Sequence, residues 1–105
     1  MPYYVYVIEL DKEVIKSKRF KKCNPNLDAK KPCFYVGQTC HDPDTRFNQH
    51  KNGYKSNSFV KKYGLQLKRN ICKKFNPIET RAEAERIEQE LAEVLRQEGH
   101  GVWSN

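Results

Sequence analysis

The sequence predicts a small α+β domain: an antiparallel three-stranded sheet flanked by helices, in the order β-β-α-α-β-α. Three observations predict it. Two runs rich in β-branched and aromatic residues, "YYVYVIEL" (3–10) and "CFYVGQT" (33–39), read as buried strands. The stretch "TRAEAERIEQELAEVLRQEG" (80–99) has an apolar helical stripe with both ends marked. Pro, Gly and Asn divide the remainder into short elements, and 105 residues suffice for one domain, residues 1–105, with one modest core.

Each element follows from local chemistry. Pro2 and a charged run bound the first strand. Residues 11–31 are Lys-rich and punctuated by Pro and Asn, which predicts a long basic connection inserted between the first two strands, in the manner of extended hairpin arms. Gly37 in the second strand allows close backbone approach. "DPDTRFNQHKNG" then predicts a helix with Asp42 as N-cap, Pro43 at the first helical position and Gly53 closing it. A second short helix is expected after Ser56 or Ser58, stopped by Gly64. "LQLKRNICKKF" (65–75) reads as the third strand, with Leu65, Leu67 and Ile71 facing inward and Pro77 ending it. In the last helix Thr80 and Glu83 form a T-x-x-E capping box, and Gly99 terminates.

The charge is uneven. Residues 1–78 carry 17 Lys/Arg against 6 Asp/Glu, a net of +11, whereas residues 79–105 carry 3 against 7, a net of −4. A basic body of this kind suits a polyanion, because Lys and Arg contacts to phosphate release counterions. No run approaches the roughly 18 apolar residues of a membrane span, and "MPYYVYVIELDKE" lacks the pattern of a signal peptide. A cytoplasmic location is the expectation.

Cys23, Cys33, Cys40 and Cys72 contain no C-x-x-C pair. Cys33 and Cys40 bracket an extended strand and so lie roughly 20 Å apart, too far to share one ion. Structural zinc is not expected, and free thiols are the default for a reducing compartment.

The last helix carries the most informative residue. Its stripe runs Ala84, Ile87, Leu91, Val94, Leu95, and at 100° per residue Glu88 falls on the same stripe. A carboxylate at a core-facing edge needs a partner or a cation, so a salt bridge and a metal site both remain open. Arg46 and His50, at i and i+4, share one helical face beside Phe47. Tyr6 and Tyr35 sit in the triplets "YVY" (4–6) and "YVG" (35–37).

That ordered set resembles the GIY-YIG nuclease family. "YVG" matches the family's second triplet with Val for Ile. "YVGQTCHDPDTRFNQHKNG" is similar to its stretch from that triplet through the arginine to the histidine four residues on, and "EAERIE" resembles its glutamate-bearing helix. The first triplet departs, with Tyr4 and Val5 for Gly and Ile, and the connection at 11–31 is longer than the family's hairpin. The resemblance implies a GIY-YIG-like fold and a metal-dependent endonuclease with Tyr6, Tyr35, Arg46, His50 and Glu88 as catalytic residues. Glu88 would hold one Mg²⁺ or Mn²⁺, and Arg46 the scissile phosphate. Tyr6 would be base with Tyr35 its positioning partner, and His50 would receive or relay the proton. Asn105 is the only counterpart of the family's asparagine beyond that helix.

The implied partner is DNA, of unspecified strandedness, with RNA open as well. Lys16, Lys18, Arg19, Lys21 and Lys22 of the insertion, with Lys51, Lys55, Lys61 and Lys62, are expected to track its backbone. Two alternatives stand beside this reading: a nucleic-acid-binding module of the same fold that does not cut, and a protein-binding domain organised by zinc on the insertion.

Overall fold

The computed structural model describes residues 2–104, so the prediction on Asn105 lies outside the described residues. Four strands form the middle of three layers. Strand β1 (Tyr4–Leu10) pairs antiparallel with β2 (Cys33–Thr39), in a register that sets Tyr6 opposite Gly37, and antiparallel on its other edge with β3 (Gly64–Leu67). The fourth strand, β4 (Gly101–Ser104), lies parallel to β2, giving the order β3-β1-β2-β4. The sheet is therefore four-stranded and mixed, where three antiparallel strands were expected.

Both faces of the sheet are covered, which explains why β1 and β2 are near-continuous apolar runs rather than alternating ones. Val5, Val7, Phe34, Val36 and Val102 point to one layer, where they meet Ala84, Ala92 and Leu95 of helix α5 (Arg81–Gln97). Tyr6, Ile8, Leu10, Cys33 and Tyr35 point to the other, against Val14, Phe20, Phe59 and Val60.

That second layer corrects the reading of the insertion. Residues 11–31 are not hairpin arms: they hold a 3-10 turn (Lys12–Lys16) and helix α1 (Lys18–Cys23). Asp11 caps the first by accepting the Glu13 N–H, and Ser17 caps the second by accepting that of Phe20. Val14 and Phe20 are fully buried, so the basic segment contributes core. Asn24 locks it to the far edge of the sheet. Its side chain donates to the Phe20 carbonyl at 2.8 Å and accepts from the Val102 N–H at 2.8 Å and from Arg96 at 3.3 Å.

The expected third strand over 65–75 is also shorter. Only Gly64–Leu67 pairs as strand, and Leu65 is 53% exposed rather than inward. The Lys68 N–H still reaches the Val7 carbonyl at 2.8 Å, after which Arg69–Cys72 turns into helix α4 and Lys73–Phe75 into a 3-10 turn. Beyond them the Asn76 amide acts as a surrogate strand, accepting the Val5 N–H and donating to the Val5 carbonyl, both at 2.9 Å.

Helices α2 (Pro43–Lys51) and α3 (Ser58–Tyr63) follow the expected punctuation, with Gly53 at φ 85° after α2 and Gly64 ending α3. The N-cap of α3 is Asn57, not a serine, and Asp42 stands at the N-cap of α2 without a side-chain capping bond. Thr80 accepts the Glu83 N–H at 3.2 Å, and Gly99 takes φ 98° past the end of α5. No helix among the described residues is long and apolar enough to cross a membrane.

Candidate active site

The floor of the site is the β1–β2 pair. Tyr6 and Tyr35 project from neighbouring strands onto the same face, with ring centroids 6.0 Å apart, and both are buried. Gly37 makes room for them. A Cβ there would stand 2.6 Å from the Tyr6 hydroxyl oxygen and 3.0 Å from Cε2 of Tyr35, so only glycine permits the Tyr6 ring to lie across β2.

Helix α2 supplies the lid. His50 is buried against both tyrosines, with ring centroids 6.0 Å from Tyr6 and 5.5 Å from Tyr35. Its Nδ1 accepts the backbone N–H of Asn57 at 3.1 Å, and its Nε2 lies 2.9 Å from the Tyr6 hydroxyl. A neutral imidazole carries one ring proton; with Nδ1 accepting, the proton is on Nε2 and is donated to Tyr6. Burial, followed by the nearby Arg46 charge, pushes the His50 pKa down to about 4, so the ring is neutral near pH 7.

Burial, then the neighbouring Tyr35, raises the Tyr6 pKa well above the ordinary phenol value, while Arg46 acts against both. Arg46 lies on the same helix, one turn before His50, and is half-buried. Its guanidinium donates to the Gln49 side chain at 3.2 Å, the Tyr54 carbonyl at 3.2 Å and the Lys55 carbonyl at 2.8 Å. The turn after α2 is thus wrapped on the arginine, with Lys55 at φ 43°. A cleft of about 430 Å³ opens beside Arg46, walled by the end of β2, the turn at Tyr54 and Lys55, and Arg81 at the start of α5.

Tyr6, Tyr35, Arg46 and His50 are therefore brought together. Glu88 lies in the other layer, on α5, and is not among the residues that line the cleft. Only 4% exposed, it lies on the sheet-facing side of α5 between Ala84 and Ala92. The stripe of this helix is rotated from the expected one: Ala84, Glu88, Ala92 and Leu95 are buried, Ile87 and Leu91 are half-buried, and Val94 is 50% exposed. The small alanines let the helix sit close to the strands, and this moves Glu88 from the margin to the centre. Among the described residues no three His, Cys, Asp or Glu side chains converge on one point. One buried carboxylate among the described residues, with no second ligand cluster, fits a hard cation that keeps most of its water, as Mg²⁺ does, rather than a protein-caged one.

The basic residues divide by engagement. Lys16, Lys18, Arg19, Lys21 and Lys22 are exposed on the insertion. Lys16 pairs with Glu13 at 2.6 Å, and the Arg19 guanidinium lies 4.8 Å from the Phe59 ring and 5.3 Å from that of Trp103. Lys51 is tied to the end of α3, donating to the Lys61 and Gly64 carbonyls at 3.1 and 2.9 Å. Lys55, Lys61 and Lys62 are exposed. Cys23 and Cys40 are exposed as well, whereas Cys33 and Cys72 are buried in opposite layers.

Sequence reasoning missed Asn57, whose N–H selects the His50 tautomer, and Gln49, which braces Arg46. The N-cap preference of asparagine ahead of "SFVKKY" was the available signal for Asn57.

A sequence model described as the GIY-YIG catalytic domain matches residues 2–100. No curated protein and no solved structure matches the chain. With that match spanning residues 2–100 of 105, the chain belongs to the GIY-YIG catalytic domain family, a family of nucleases whose substrate is nucleic acid.

Proposed function

We propose that this protein is a divalent-metal-dependent endonuclease that hydrolyses phosphodiester bonds in DNA. The observation that carries the reading is the Tyr6–His50–Arg46 group: a buried phenol oxygen that accepts a hydrogen bond from a neutral histidine and lies beside a guanidinium. Burial and Tyr35 hold this phenol neutral in the free protein, so its ionisation needs the opposing cations of a loaded site. Arg46 draws the phenol towards ionisation, and the His50 Nε2–H stabilises the phenolate once formed. The Tyr6 phenolate takes the proton of the attacking water as oxygen bonds to phosphorus and the P–O bond to the departing sugar oxygen breaks. In this arrangement His50 donates to the base instead of receiving the proton from it. Tyr35 packs against Tyr6 and hydrogen-bonds it, holding the phenol in line.

Arg46, which lines the cleft, would bind the non-bridging phosphate oxygens, whose charge grows in the transition state. Glu88 is the residue that would hold Mg²⁺ or Mn²⁺, which when bound supplies charge neutralisation at the phosphate and a more acidic water. The exposed lysines of the insertion, with Lys55, Lys61 and Lys62, would track the DNA backbone.

Incubation with labelled single-stranded, duplex and forked DNA and with RNA tests this, in Mg²⁺ or Mn²⁺ and in EDTA, with Arg46→Ala and Glu88→Gln alongside. Metal-dependent DNA cutting that both substitutions abolish supports the reading. DNA retained by all three proteins, without cutting in any metal, would reduce the chain to a binding module.

A further inference from the structure

The cleft beside Arg46 has properties that holding the scissile phosphate does not require. Besides Arg46, the charged side chains in its wall are Lys55 and Arg81, both cations, and among the described residues no carboxylate lines it. Its volume, about 430 Å³, is in the range of small-ligand sites. The wall also carries an aromatic ring that the fold does not use: Tyr54 is 57% exposed. Among the described residues, Leu65 and Val94 are the other large apolar residues at least half exposed, and neither lines the cleft.

We propose that this cleft is a subsite for one unpaired nucleotide next to the scissile phosphate, its base stacked on Tyr54 and its own phosphate held by Arg81 and Lys55. The proposal rests on the nuclease reading and narrows its substrate to DNA with a single-stranded position at the cut, such as a flap, a fork or a free strand.

The turn is built to present that ring. Arg46 binds the carbonyls of both Tyr54 and Lys55, so the platform is fixed to the same guanidinium that faces the phosphate. Lys55 adopts a left-handed backbone, φ 43°, which side chains other than glycine, Asn and Asp seldom take. Its ammonium stands 5.7 Å from the centre of the Tyr54 ring. A ring and a cation are thereby offered together, as a nucleotide's base and phosphate require. Within a duplex each base face is covered by its neighbour, so an isolated aromatic wall rewards an unpaired base. Across the cleft, Arg81 is engaged by Glu85 in an exposed i,i+4 pair at 3.0 Å. Such a pair is weak, and a phosphate offering two oxygens displaces it.

The test is fluorescence anisotropy in EDTA, where cutting does not intervene, with a labelled single strand and the duplex of the same sequence. Tyr54→Ala is expected to weaken single-strand binding at least about fivefold while leaving duplex binding within twofold, and Tyr54→Phe to bind as wild type. Arg81→Gln should weaken both and lower the slope of log affinity against log salt by about one. Thermal melts confirm folding of each variant. Equal binding of both DNAs by Tyr54→Ala and wild type, or an equal loss on both, overturns the subsite. A wild-type protein that shows the Tyr54-dependent preference but cuts nothing in Mg²⁺ or Mn²⁺ refutes the nuclease reading and leaves the subsite as a binding site.

Discussion

Replacing Gly37 with alanine adds one carbon at the most crowded point of the site. The new Cβ would lie 2.6 Å from the Tyr6 hydroxyl oxygen and 2.7 Å from Cζ. Restoring an ordinary contact of about 3.4 Å requires the hydroxyl to retreat by about 0.8 Å, in a core packed like a crystal. The ring cannot tilt freely, because Tyr35 and His50 both pack against it, each 6.0 Å from its centre and 5.5 Å from one another. Nor can the Cβ withdraw, since Gly37 is held in register opposite Tyr6 in the middle of the β1–β2 pair. Overpacking of this kind costs on the order of 2 kcal/mol, or about 10 °C of melting temperature for a domain of this size. The catalytic effect is larger than the effect on folding. The 2.9 Å bond from His50 to Tyr6 is stretched or broken, and a displacement near 1 Å at a reacting group costs on the order of 100-fold in rate. Single-turnover cutting and a thermal melt on the same preparation read the two effects separately. Wild-type cutting by Gly37→Ala with an unchanged melt would refute the packing argument and the requirement for a placed Tyr6 hydroxyl together.

His50 sets a pH dependence. Its folded pKa, pushed down to about 4, lies below the unfolded value near 6.5, so between these values the unfolded chain binds a proton that the folded one does not. Stability is full above pH 6.5 and falls by on the order of 3 kcal/mol as pH drops to 4; urea melts across this window should show that slope in wild type and its absence in His50→Gln. Arg46→Ala should slow cutting on the order of 100- to 1,000-fold, and should also loosen the turn it holds, read as faster amide exchange at the Tyr54 and Lys55 positions. Asn24→Ala removes three bonds from a buried amide and should destabilise the fold by about 2–3 kcal/mol in denaturant melts. A loss below 0.5 kcal/mol would show that the insertion is not anchored through Asn24.

The legible parts of this fold were those whose signals are local. The β-branched runs of β1 and β2, the Asp42-Pro43 start of α2 and the Thr80-to-Gly99 bounds of α5 depend on neighbouring residues only. Arg46 and His50 could be placed on one face by spacing, whereas the shared sheet face of Tyr6 and Tyr35 is set by the β1–β2 register, which no local signal gives. The rest depended on contacts made far along the chain. β4 is four residues long and exists only because α5 returns the chain to the free edge of β2, which "GVWS" does not announce. The third strand ends after Leu67 because Lys68 leaves the extended backbone and Arg69–Cys72 coils into α4, and Asn76 then occupies the edge of β1 with a side chain. Glu88 was read at the margin of its stripe because hydrophobicity weighs Ile87, Leu91 and Val94 above Ala84 and Ala92. Close helix–sheet packing prefers the small residues. The tautomer of His50 was invisible for the same reason: it is chosen by the N–H of Asn57, a contact between the end of α2 and the start of α3.

The central claim, that the Tyr6 oxygen is the base, is tested most directly by removing that oxygen alone. Single-turnover cutting of DNA in Mg²⁺ by Tyr6→Phe, with Tyr35→Phe beside it and DNA binding measured for both, isolates its role. The account predicts that Tyr6→Phe binds as wild type and cuts on the order of 100- to 10,000-fold more slowly. It predicts a smaller loss for Tyr35→Phe. Cutting by Tyr6→Phe at the wild-type rate would contradict it.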